Sequence, residues 1–354
     1  MLSRVADCHY WMSRYIERAE NNARILEVNQ QLMLDFDAQS EATVRQHWAP
    51  IINSLEEQEL FHKFYVEADG ETVVEFVTFE QKNPNSIFSC LSRARENARS
   101  VREQISSEMW EHINQLYLFI RSKEARELFQ SSSYSFFKRI LEGSFQFIGI
   151  TDATMTHGEG WDFIQLGKFL ERADRTSRIL DVKYHILLPS GERVGGNVDT
   201  VQWMAVLRSC SALEAYNKIY VGQIAPWKVA EFLILNDSFP RALRHCTHQF
   251  DNALHSISGV PEDRFSNEAE RLSGKLRGEL DYTRSNEIFH TGLHQYLDGF
   301  QKRLSEINDA LQEVYCEIPP PEERATQKQS QSQSQDGGGS QSQSQSQGET
   351  LPAR

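Results

Sequence analysis

The sequence predicts an all-α protein: a helical bundle made of two pseudo-symmetric repeats, 1–150 and 151–318, followed by a disordered tail, 319–354. Three observations predict it. Residues 15–28 (Tyr15-Ile16-Glu17-Arg18-Ala19-Glu20-Asn21-Asn22-Ala23-Arg24-Ile25-Leu26-Glu27-Val28) and 169–182 (Phe169-Leu170-Glu171-Arg172-Ala173-Asp174-Arg175-Thr176-Ser177-Arg178-Ile179-Leu180-Asp181-Val182) are identical at seven of fourteen positions and conservative at five more. A match of that quality inside one chain points to internal duplication. Only six prolines (Pro50, Pro84, Pro189, Pro226, Pro240, Pro261) precede residue 319, and the stretches between them are rich in strong helix formers. From Pro319 onward, Gln-Ser repeats flank Gly337-Gly338-Gly339. A tail so poor in apolar side chains cannot offset the entropy of ordering.

The elements follow in chain order. Val5, Cys8, Met12, Ile16, Ala19, Ala23 and Leu26 recur at steps of three and four, one face of a first helix. Further helices are expected at 39–66, 86–131 and 133–150. Phe163, Leu166, Leu170, Ala173, Ser177 and Leu180 repeat the first stripe in a second copy. Small residues at both centres (Ala19, Ala23; Ala173, Ser177) would let another helix approach closely. Pro189–Gly196 reads as a loop, and helices are expected again at 200–222, 227–236, 239–257, 263–281 and 283–317. The strand-like run Thr72–Thr78 and its echo Ala230–Leu235 are read as buried helical turns. That echo extends from Phe76 to Cys90 and from Phe232 to Cys246, with Phe, Pro and Cys identical at an offset of 156, close to the 154 of the first match.

Composition narrows the function. A net charge of −13 repels nucleic acid and anionic membrane surfaces, so neither is expected as a partner. Five scattered cysteines (Cys8, Cys90, Cys210, Cys246, Cys316) make neither a disulfide framework nor a thiolate zinc site. There is no apolar signal region at the N-terminus and no run of the ~18 apolar residues a membrane span needs. The expected location is a reducing, cytoplasmic compartment.

The repeated Glu-Arg pairs are the candidate site: Glu17, Arg18, Glu20 and Arg24, with Glu171, Arg172, Asp174 and Arg178. Glu17 and Arg18 lie off the core stripe. Ile25 and Ile179 lie there too, which suggests a helix packed on both sides and carboxylates at least partly buried beside guanidiniums. Arg24 follows Glu20 by four residues and Arg178 follows Asp174 by four, the orientation that favours a helical ion pair. Two readings stay open. The charges form an ion-pair network holding the copies together, where one lost partner strands a costly buried charge. Alternatively, Arg18, Arg172, Arg24 and Arg178 line a shared pocket for a carboxylate or phosphate, which the planar fork of arginine suits.

Other chemistry is weaker. His245, His248 and His255 share a helical face and His290 and His294 are four apart, but no Glu-x-x-His pair completes a bundle metal site, so no metal is expected. His157, between Asp152, Met155 and Trp161, reads as a hydrogen-bonded cap. No phosphate loop, dinucleotide fingerprint or nucleophile elbow occurs, and no cofactor is expected.

Taken together, several segments resemble the alpha-E domain family, bacterial all-helical proteins named for a Glu-Arg motif. They are Met1-Leu-Ser-Arg-Val-Ala6 with Tyr10-Trp11 and Arg14–Glu20; Asn83-Pro84 through Ala94–Arg99; Gly160-Trp161, Leu166-Gly167 and Leu170–Asp174; and Phe232-Leu233 with Phe239-Pro240-Arg241. The tail has no counterpart in that pattern. The resemblance implies a helical companion of circularly permuted ATP-grasp ligases, commonly accompanied by transglutaminase-like proteins, in a peptide-synthesis or peptide-tagging system. The expectation is therefore a non-catalytic or co-catalytic partner of an amide ligase, meeting a peptide substrate. The alternative is an enzyme acting on the ligated peptide.

Overall fold

Sixteen α-helices and one π-helical turn form the described residues, 1–35, 41–185, 196–222 and 224–316, of a computed structural model; no strand occurs among them. The first half contains α1 (Ser3–Asp35), α2 (Glu41–Ser54), α3 (Gln58–Phe61), α4 (Gly70–Thr78), α5 (Ile87–Ser100), α6 (Ser107–Arg121), α7 (Lys123–Ser131) and α8 (Ser133–Thr154). The second contains α9 (Glu159–His185), α10 (Asn197–Ser209), α11 (Leu213–Ile219), α12 (Pro226–Leu235), α13 (Leu243–Ser258), α14 (Glu268–Tyr282), α15 (Ser285–Thr291) and α16 (Leu293–Leu311), ending in the π-turn Gln312–Cys316. Residues 1–316 cluster as one unit. The segments read as 189–196 and 319–354 fall largely or wholly outside the described residues.

Both strand-like runs are helical. Asp69 caps α4 with a full capping box, and Pro226 opens α12 at a position where its missing N–H costs nothing. The predicted helix at 86–131 is three helices. Ser106 and Ser122 turn their hydroxyls onto the N–H groups of Met109 and Ala125, so each starts a new helix instead of continuing the old one. The predicted 283–317 helix breaks at Gly292, whose φ of +95° takes it out of helical space. The expected 39–66 and 200–222 helices break at Glu56 and Ser211, which are left-handed at φ 57° and 51°.

α1 and α9 run through the centre and pack on each other. α1 also packs on α5 and α8, and α9 on α13 and α16. Ala19, Ala23, Ala173 and Ser177 are fully buried, as their small size at the stripe centres anticipated. The two central helices come close at Gly167, where an added methyl would overlap the Tyr10 carbonyl oxygen and Ser13 Oγ. Ile25 and Ile179, the apolar residues on the polar sides, are buried and line a small apolar cavity with Ile51 of α2 and Val206 of α10. Both central helices are therefore covered on two sides, and the charged residues between those sides must find partners within the protein.

Candidate functional site: an exchanged Glu-Arg clasp and an arginine-lined cleft

The two Glu-Arg motifs hold each other. Arg172 donates from Nε and Nη2 to the two carboxylate oxygens of Glu17, both at 2.8 Å. Arg18 donates in the same way to Glu171, at 2.6 and 2.9 Å. Each arginine thus clamps the glutamate of the other motif through two parallel bonds, the strongest geometry a guanidinium offers a carboxylate. Glu17 and Glu171 are 2% and 0% exposed, so neither charge is satisfied by water.

Around each clasp the surroundings differ. Arg14 and Arg175 also donate to Glu171, at 2.8 and 2.9 Å. Arg14 continues to the Tyr10 hydroxyl and to Asn308 of α16, and Arg18 to the Asn85 amide oxygen. On the other side Arg241, immediately before α13, bridges Glu17 at 2.9 Å and both oxygens of Glu20 at 2.9 and 3.0 Å. Arg24 pairs with Glu20, and Arg178 with Asp174 at 2.9 Å, the two helical pairs the four-residue spacing anticipated. Arg178 also reaches the exposed Glu56 carboxylate at 3.1 Å.

The titration behaviour follows from this geometry. Burial by itself would raise the Glu17 carboxyl, but Arg172 and Arg241 overcome it and hold it at about 2. Burial likewise opposes ionisation of Glu171, yet Arg18, Arg14 and Arg175 keep it well below the usual carboxylate range. Lys168, which faces Glu17, is lowered to about 8 by burial and by the neighbouring Arg172. Glu57 is raised by burial, which its bond from Asn83 only partly offsets.

The residues picked out in the sequence divide between two clusters: Glu17, Arg172, Glu20 and Arg24 in one, and Glu171, Arg18, Asp174 and Arg178 in the other. Of the four arginines read as lining a shared pocket, Arg18 and Arg178 do line a cleft, of about 350 Å³, whereas Arg172 and Arg24 do not. The cleft's other arginines are Arg14 and Arg175, and Trp11, Leu170 and Leu304 form its apolar wall. Glu56, Glu57 and Asp174 line the cleft as well, whereas clefts of about 450 and 330 Å³ elsewhere are lined by no arginine and by one.

The reciprocal motif and an all-helical frame of this extent coincide with a family model described as "a predicted alpha-helical domain with a conserved ER motif", which matches residues 1–316. The chain belongs to the Alpha-E family. Its curated relatives include uncharacterized proteins of Mycobacterium bovis and of two strains of Mycobacterium tuberculosis, each 22% identical over 343 residues, covering 89% of this chain. The chain spans about 37% of the length of those relatives. No solved structure matches it.

In this Alpha-E chain the histidines do not converge. His248 meets Asp281 at 2.7 Å, His294 meets Asp181 at 2.8 Å, and the ring nitrogens of His245 and His255 meet the carbonyls of Asp237 and Val260. Among the described residues no group of three or more His, Cys, Asp or Glu could hold a metal ion. No helix among them is long and apolar enough to cross a membrane. His157 stacks on Trp161 at 4.4 Å, with Nε2 at the Asp152 carbonyl, the environment of a capping group. Arg14, Arg175, Arg241 and Asn85 are site residues absent from the sequence selection. The position of Arg175, four after Glu171, was a usable signal; that of Arg241 rested on the second echo, where it follows Pro240 as Asn85 follows Pro84.

Proposed function

We propose that this chain is a non-catalytic or co-catalytic helical partner of an ATP-grasp amide ligase, contributing a carboxylate-holding cleft to a peptide-synthesis or peptide-tagging system. The observation that carries the reading is the cleft of about 350 Å³, where four arginines, with Glu56, Glu57 and Asp174 among them, stand beside an apolar wall. Guanidiniums fixed by buried carboxylates are pre-organised donors, and pre-organisation reduces the ordering cost of binding an anionic group. The greater length of the mycobacterial relatives leaves room for a further domain joined to the helical one, which fits a helical unit working beside a catalytic one. We read the chain further as two pseudo-symmetric copies, 1–150 and 151–318. The exchanged clasps Glu17–Arg172 and Glu171–Arg18 support this, as does the recurrence of helix bounds: α4 and α12 begin 226 − 70 = 156 residues apart, α5 and α13 begin 243 − 87 = 156 apart.

The test is reconstitution. The chain should co-purify with an ATP-grasp protein encoded beside it, and amide formation by that ligase should fall when the chain is omitted. Arg18→Lys, which keeps the charge and removes the fork, should reduce that activity by about tenfold or more while the protein still folds. A ligase equally active without the chain would overturn the reading.

A further inference from the structure

The two Glu-Arg sites differ at several matching positions, Arg14 against Lys168, Asn21 against Arg175 and Asn85 against Arg241, and the last of these bears most on how each site is covered. After Pro84 stands Asn85, and after Pro240 stands Arg241, at an offset of 241 − 85 = 156, the same offset that separates the starts of α5 and α13. Arg241 is buried and extends over its site, joining Glu17, Asn21 and Glu20. Asn85 is too short to do the same. Its side chain reaches Arg18 and Glu57 but not across the site, and a cleft of about 350 Å³ stays open there, within the range of small-ligand sites.

The open site also has donors left over. Arg175 gives only its Nε to Glu171, so its two terminal nitrogens have no hydrogen-bond acceptor among the described residues. Nη2 of Arg14 and of Arg178 is in the same position. Of the three carboxylates that line the cleft, Glu56, Glu57 and Asp174, only Glu56 is exposed. Glu56, 69% exposed, reaches Arg178 from a left-handed backbone position that a side chain of its kind seldom adopts.

We propose that only one of the two sites binds a ligand: the cleft of Arg14, Arg18, Arg175 and Arg178 takes a carboxylate of an acidic peptide, which displaces Glu56 from Arg178, while Arg241 seals the other site. This deepens the carboxylate-holding part of the proposed function, and it is tested on the chain alone, without a ligase. Failure here therefore leaves the partnership standing, and loss of the partnership leaves this site standing. The choice of carboxylate rests on Glu56, a carboxylate that already uses one of the four arginines.

The experiment is calorimetric titration of the full chain with C-terminally amidated triglutamate, with triglutamine bearing a free C-terminus, and with inorganic phosphate. At least one peptide should bind with a dissociation constant of about 1 mM or tighter. Binding by the amidated peptide assigns side-chain carboxylates, and binding by the free C-terminus assigns the terminal one. Asn85→Arg, which supplies the sealing residue the other site already tolerates, should weaken binding about tenfold. Glu56→Ala removes the competing carboxylate at an exposed position and should strengthen it about threefold. No peptide binding, or binding indifferent to both substitutions, overturns the proposal. Phosphate binding more tightly than either peptide overturns the carboxylate assignment. If Asn85→Arg fails to fold, as read by its thermal midpoint, Glu56→Ala decides alone, and unchanged or weakened affinity there overturns the proposal.

Discussion

Glu171 accepts from Arg18, Arg14 and Arg175 and is sealed from water, so it is the residue whose charge the molecule can least lose. Glu171→Gln leaves three guanidiniums around a neutral amide. It should lower unfolding free energy by about 3–5 kcal/mol, read from urea midpoints. Acid should act in the same direction. Glu17 has its ordinary value of 4.5 when unfolded and about 2 when folded, so its contribution is complete above about pH 4.5 and is lost as pH falls toward about 2. Glu171, also held low, adds to the loss in that acid range. Urea midpoints followed from neutral pH downward should decline there, and the decline should be shallower in Arg241→Met, which removes one cause of the Glu17 shift. A pH-independent midpoint down to about 2 would contradict the burial of both charges. At this scale the sequence was half legible. The motif residues stood out because they repeat, but Arg241 did not, because the residue matching it is asparagine.

At the scale of elements, Gly167 marks a close approach of α9 to α1, and the residue 154 positions before it is Ser13, another small one. Gly167→Ala should push the helices apart, costing about 1–3 kcal/mol and disturbing Lys168 and the clasp beyond it. The same change at Gly149, where nothing lies within 4 Å of the added methyl, should be neutral or mildly stabilising because alanine favours the helix. Paired thermal midpoints check both. The long central helices were legible because their stripes are continuous and small residues mark their centres. The breaks were not. Ser106 and Ser122 end helices only because their hydroxyls find backbone N–H groups in three dimensions, and the same serines occur harmlessly inside other helices, as Ser92 does with its hydroxyl on the Phe88 carbonyl.

Across the whole molecule, an all-helical frame followed directly from composition and period, whereas the open cleft did not. It depends on α16 reaching back to place Asn308 beside Arg14 and Tyr10, a contact spanning 294 residues from Arg14. No local pattern encodes a distance of that kind.

The exchange of partners in the clasp gives the proposed two-copy reading a concrete consequence. Glu17 and Arg18 are neighbours in sequence but never partners in space; each waits for the arginine or glutamate of another motif. A half-length chain carrying one motif therefore already has a self-complementary surface, since Glu17 of one copy can meet Arg18 of a second and the reverse contact forms at once. That is the geometry of a twofold homodimer. Joining two such copies in one gene frees each motif's surroundings to change independently, which a homodimer forbids because every substitution appears twice. On the proposed two-copy reading, fusion lets arginine stand at 241 while asparagine stands at 85.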